Sequence, residues 1–371
     1  KIDDKTYSVT CRPAKETENG EDANATLALT NNSKLVVNNH NGMGIGREGK
    51  GELTVDATST FEHTQDFLVC ANGTMDVKGT LVSNGKKLTN NGEVKFTATK
   101  LTAATIEGTG TTRFYNDVNF YGANSITTTG INGTPFHLVI NEGANLFITR
   151  FVLGYDRNIT VNGTITDASA FNPAGQTPSL KFNGTSGVSV GGTGTGNLQV
   201  KNAYIELGSS SWKNAQGTYD WDFVNSYVSA VSFTNATGAD AATWDVTFDK
   251  SVLDAKNYIK NGKNVTYNFT NNSRGTTGSL RIDGVLNIDA TSSVVTTSQQ
   301  NNKVGAVDEH GGINGTVNVA GNLTIGSNAK TQLEVLGGNV NVKEGATLAL
   351  GNNTMTLDAA SAMQSAGNIS G

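Results

Sequence analysis

The stretch Gly315-Thr-Val317-Asn-Val319-Ala-Gly321-Asn-Leu323-Thr-Ile325 constrains the fold more than any other part of the chain. Apolar and polar residues alternate on both sides of one glycine, the pattern of two short strands with one buried face joined by a tight corner. The spelling returns at Gly278-Ser-Leu280-Arg-Ile282-Asp-Gly284-Val-Leu286-Asn-Ile288 and, in part, at Gly73-Thr-Met75-Asp-Val77-Lys-Gly79-Thr-Leu81. A version with a longer corner occurs at 138–148 and 340–350, where Glu142-Gly-Ala144 and Glu344-Gly-Ala346 match. A unit this small cannot bury its apolar face alone, so copies must stack, and self-similarity at roughly 20 residues marks a solenoid.

The reading is an all-β chain, a right-handed parallel β-helix with rungs of roughly 18–23 residues. Residues 1–33 lack the repeat and carry charge at Lys15, Glu16, Glu18, Glu21 and Asp22, as an N-terminal cap would, and 34–371 read as one solenoid. Segments 168–178 and 191–197 read as loop insertions at corners. From 212 to 254 the character changes, with all three tryptophans gathered there, so this section is either thick-walled rungs or an excursion. Ser365-Ala-Gly367-Asn-Ile369-Ser-Gly371 spells the opening of another rung, from which the natural chain is expected to continue past Gly371. Roughly 16 rungs at about 4.8 Å each would make a stiff rod.

Hydrophobic residues form 36% of the chain, lean for a spherical core but enough for a thin one, and 44 glycines against 4 prolines favour tight corners over disordered linker. The net charge of −5 offers no basic excess, so nucleic acid is not an expected partner. No apolar run is long enough to cross a bilayer, so this segment is not expected to insert in a membrane. A chain beginning at Lys1 is expected to have lost a signal peptide or to be an internal fragment. Cys11 and Cys70 fit no close metal or redox spacing; a disulfide between them and two independent thiols are both open.

Motifs that spell chemistry lack their context. Gly187-Val-Ser189-Val-Gly191 matches a nucleophile elbow, but no helical pattern follows it. Gly44-Ile-Gly46-Arg-Glu-Gly49 matches a dinucleotide fingerprint but leads into a strand-like run. His40, His63, His137 and His310 are scattered, so no metal, cofactor or catalytic residue is assigned. The section around Tyr219-Asp220-Trp221-Asp222 and Trp244-Asp245 admits three readings. Its rings pack the core, or they form a carbohydrate-binding surface with the carboxylates, or two carboxylates cleave glycosidic bonds. Ligand binding is assigned to Trp212, Tyr219, Asp220, Trp221, Asp222, Trp244 and Asp245.

Gly44-Ile-Gly46-Arg-Glu-Gly49-Lys-Gly51-Glu-Leu53-Thr-Val55 resembles the glycine-spaced rungs of bacterial autotransporter passengers and related surface adhesins, as do the Glu-Gly-Ala-x-Leu corners at 142–146 and 344–348. The resemblance implies a right-handed β-helix exported and displayed at the cell surface, and it carries over no functional residue. The function expected is a non-catalytic adhesin or scaffold module that binds a host-cell surface protein or glycan. The alternatives are a polysaccharide lyase or glycoside hydrolase on the same fold, and a phage tail spike.

Overall fold

The computed structural model describes residues 6–7, 25–38, 44–47, 49–128, 130–132, 136–148, 151–153, 157–182, 188–190, 195–213, 217–237, 242–297, 302–305, 315–326 and 332–371. Among them there is no helix, and parallel strands stack into a β-solenoid of about 13 turns. The chain divides into two compact units, Lys1–Phe151 with Asp156–Val161, and Val152–Tyr155 with Asn162–Gly371.

In the first unit each rung contributes one strand to each of three faces. One face stacks Ala25–Leu29, Gly51–Val55, Gly73–Val77, Glu93–Thr97 and the start of Thr111–Tyr121. A second stacks Lys34–Val37, Thr60–His63, Thr80–Val82, Lys100–Thr102, the end of Thr111–Tyr121, Phe136–Ile140 and Arg157–Asn162. The third runs from Gly44–Ile45 through Phe67–Val69, Lys87–Asn90, Thr105–Glu107 and Ala123–Ile126 to Asn145–Ile148. Ala25–Leu29 is already a rung strand, so regular stacking begins ahead of Ser33.

The second unit has a different cross-section. One face stacks Thr195–Lys201, Gly217–Val224, Ala242–Asp249, Val265–Thr270, Val285–Ile288, Thr316–Val319, Asn339–Val342 and Ala362–Ser365. Thr195–Lys201 occupies the end of the segment read as a loop at 191–197, and 191–194 lie outside the described residues. Opposite run four long strands, Tyr204–Lys213, Tyr227–Thr237, Val252–Asn261 and Arg274–Ile282. The last of these pairs with two successors, Ser293–Thr296 and Asn302–Val304, so later rungs carry two short strands in place of one long one. The described residues of 212–254 are therefore rung strands of the stack and not an excursion from it.

Side-chain bonds from rung to rung span 25, 22 and 19 residues at successive corner serines, and as many as 31 farther on. Rungs longer than the spelled period give fewer turns than the sequence count.

The alternation fixes what is inside. Val317, Val319, Leu323 and Ile325 are buried. Asn322 is exposed, whereas Asn318 and Thr324 are half-buried, because in-register neighbours on adjacent rungs flank outward side chains too. Burying each such apolar side chain contributes about 1.5–3 kcal/mol. In-register stacking also piles identical side chains: Phe223, Phe248 and Phe269 form a column with ring centroids 5.0 and 4.9 Å apart. At Gly321 a side chain would meet the carbonyls of Asp289 and Ser292 at 2.2 Å, so the corner closes only with glycine.

Corners are tied by side chains aimed at the neighbouring rung. The backbone N–H of Ser226 donates to Ser251 Oγ at 3.0 Å, that of Ser251 to Ser273 Oγ at 3.0 Å, and that of Ser273 to Ser292 Oγ at 3.1 Å. The Ser251 and Ser273 hydroxyls donate in turn to the carbonyls of Phe223 and Phe248, at 2.8 and 2.7 Å. Buried backbone N–H groups at these corners are thereby satisfied.

Candidate functional site

The aromatic section resolves by alternation. Tyr219, Trp221 and Trp244 are buried, with Tyr219 stacked on Trp244 at 4.2 Å and Phe223 on Phe248 at 5.0 Å. This corrects the expectation that Tyr219, Trp221 and Trp244 form a ligand surface: a strand of period 2 cannot present both rings and carboxylates outward, and burial favours the rings. Trp212 lies in the strand Tyr204–Lys213, and its side chain falls outside the described residues.

Asp220, Asp222 and Asp245 are on the outside of the same strands, with Asp220 in register with Asp245. Desolvation and then the charges of Asp220 and Asp249 push the Asp222 carboxyl up. Asp245 is raised by desolvation and by Asp220 and Asp222, against a hydrogen bond from Asn268 Nδ2 at 2.6 Å. That bond begins a file of amides in which Asn287 donates to Asn268, Asn318 to Asn287 and Asn341 to Asn318, at 2.8, 2.9 and 2.8 Å. Asp245 thus terminates a structural ladder.

The opposite face of this unit carries an arrangement that residue patterns did not single out. Tyr204 and Tyr227 occupy one outward column, and Glu206, Ser229 and Asp254 the next. The Tyr227 hydroxyl donates to Asp254 Oδ2 at 3.2 Å, and Tyr204 is hydrogen-bonded to Glu206, which also meets Lys181 Nζ at 2.6 Å. Desolvation and the Asp254 charge push the Tyr227 phenol up to about 12; desolvation and Glu206 raise Tyr204. Both phenols therefore stay protonated donors at neutral pH, and each holds a carboxylate in place.

The insertion at 163–179 braces this column. Phe171 packs on both Tyr204 and Tyr227 with centroids 5.5 Å away. Asn225 anchors the loop, accepting from the Ala168 N–H at 3.0 Å and donating to the Ile165 carbonyl at 3.0 Å, while Arg274 donates to the Ser169 carbonyl. Just past Glu206, Ala230 and Ala255 the long strands shift register. Beside these bulges lies an open hollow of about 440 Å³ lined by Glu206, Ser229, Val231, Asp254, Lys256 and Thr297, among others. Bulges bend a strand and re-aim its side chains, which here turns a flat face concave.

A larger hollow in the first unit, about 880 Å³, has Gly51, Gly73, Gly92 and Gly110 along its floor. A side chain at Gly92 would strike the carbonyls of Cys70 and Gly73 at 2.3 Å, so this glycine file reflects close rung packing.

Ser189 sits in the strand Val188–Val190, away from any strand-to-helix turn, and Gly44–Ile45 opens a rung. His63 is buried, with Ser83 Oγ and the Gln65 carbonyl each 2.8 Å from a ring nitrogen; His40 and His310 lie outside the described residues. No group of three or more His, Cys, Asp or Glu able to hold a metal occurs among the described residues. Cys70 is half-buried in the turn after Phe67–Val69, and Cys11 lies outside the described residues, so the bridge remains an expectation.

The sequence signal for the missed column was present in Tyr204-x-Glu206 and Tyr227-x-Ser229, where outward positions are two apart. What it lacked was the 25-residue rung that brings Asp254 beside Tyr227. Compared with known proteins, the chain matches no family model and no curated sequence.

Proposed function

We propose that this chain is a non-catalytic module, exported and displayed at a cell surface, that serves as an adhesin or scaffold and binds a host-cell protein or glycan. The observation that carries the reading is the hollow on the outer face of a parallel stack, where Glu206 and Asp254 are held in place by Lys181 and Tyr204 and by Tyr227. A stacked solenoid supplies a rigid backing, and rigid backing lowers the entropy lost when a ligand binds. Lys181 Nζ, 2.6 Å from Glu206, holds that side chain in place as a hydrogen-bond acceptor. Beads coated with the folded chain are expected to adhere to cell monolayers while beads coated with heat-unfolded chain do not; equal adhesion by both would remove this reading.

A second reading, cleavage of a polysaccharide, draws support from Asp222 and Asp245, since raised carboxyls near one another are what a general acid needs. An assay of polysaccharide depolymerisation with the native chain and Asp222→Asn tests it: activity lost in the variant would favour the enzyme.

A further inference from the structure

We propose that the hollow at Glu206, Ser229 and Asp254 is a binding site for an uncharged, hydroxyl-rich glycan lying across the rungs. The proposal deepens the reading of the chain as a binding module and rests on it.

Glu206, Ser229 and Asp254 occupy one column on three successive strands, so their spacing is about 4.8 Å per step. Such a column offers carboxylate, hydroxyl and carboxylate in line, a set of acceptors suited to sugar hydroxyls, which donate readily to carboxylates. The two carboxylates are held before any ligand arrives: Tyr227 and the Phe171 loop fix Asp254, while Lys181 and Tyr204 fix Glu206. Preordered acceptors reduce the cost of binding a flexible chain.

The surroundings complete the fit to a sugar. Val231 is 41% exposed at the hollow and gives an apolar patch for a C–H face. Lys256 and Thr297 add donors for ring and hydroxyl oxygens. The charges nearly balance, with Glu206 and Asp254 set against Lys181 and Lys256. A uronic, sialylated or sulfated glycan would bring its anion against two fixed carboxylates, whereas a neutral one meets only hydrogen-bonding groups.

The test is a glycan array carrying neutral, sialylated, sulfated and uronic oligosaccharides, followed by calorimetric titration of the best neutral binder. Binding is expected to be confined to neutral glycans. Glu206→Gln and Asp254→Asn are each expected to weaken it at least tenfold with an unchanged melting temperature, and Gln199→Ala, exposed on the opposite face in the strand Thr195–Lys201, to leave it unaltered. Val231→Arg, which fills the hollow from an exposed position, should also abolish binding and guards against a folding defect in the carboxylate variants. The site is overturned if no neutral glycan binds, if acidic glycans bind better, or if the carboxylate variants and Val231→Arg keep full affinity. Coated beads that still adhere to cells in any of those cases would leave the module reading standing. Neutral glycan bound through Asp254 by beads that do not adhere would remove the adhesin reading and keep the site.

Discussion

Asn287 donates from Nδ2 to Oδ1 of Asn268 at 2.8 Å, and the same polarity repeats along the outer face until Asp245 receives the last bond. An amide ladder of this kind needs both a donor and an acceptor on every side chain, and only the terminal member can be a carboxylate.

Asn287→Asp should therefore destabilise the chain by about 1–2 kcal/mol at neutral pH, since the carboxylate cannot donate to Asn268 and faces its oxygen. The difference from the native chain should shrink below about pH 4, where a protonated Asp regains a donor. Urea unfolding at both pH values checks this, and a pH-independent difference would count against the ladder.

Acid should loosen the corners at Asp56 and Asp289. Burial works against the Asp56 carboxylate, but the Ser59 hydroxyl and the N–H groups of Asn31 and Thr58 together hold it at about 2. Burial likewise opposes the charge on Asp289, and the Asn271 N–H, Ser292 and Thr291 lower it on balance. Because both folded values lie below the ordinary 3.8, their stabilisation is complete above that pH and is lost as the pH falls through each folded value, which for Asp56 is about 2. Melting temperature against pH should drop in that window, and Asp56→Asn should flatten part of the drop.

His63 should contribute at milder acidity. Burial pushes its ring below 6.5, and the Gln65 carbonyl, which only accepts, fixes the proton on Nδ1, so Nε2 accepts from Ser83. A depressed value means that stability is full above about pH 6.5 and declines as the pH falls below it and the ring charges. His63→Gln should remove that slope. The same slope in the variant would assign it to another group.

Core substitutions should follow the stacking. Phe248 sits between Phe223 and Phe269, and Phe248→Ala is expected to cost about 3–5 kcal/mol by leaving a cavity in the column. Val319→Asp should be at least as severe, because it places an unpaired carboxylate at a fully buried position. Unchanged thermal unfolding in either variant would contradict the packing described.

The repeat at residues 315–325 was enough to determine that the chain is a parallel stack and which side chains of each strand face inward, because alternation is a local property of period 2. A repeated corner, Asp56-Ala-Thr58-Ser59 and Asp289-Ala-Thr291-Ser292, was also open to reading; its side chains bond within the turn and to the rung beside it. The ring-and-carboxylate cluster at 219–245 was misplaced as a ligand surface although the same alternation already put its rings inside. Which outward residues become neighbours depends instead on the length of each rung, and rung length is set at corners and bulges that a local pattern does not count. Tyr227 meets Asp254 only once a 25-residue rung has closed, and Phe171 reaches both Tyr204 and Tyr227 only once the loop at 163–179 has folded back. Those contacts join residues far apart in the chain, so tertiary structure alone decided where this column and its hollow form.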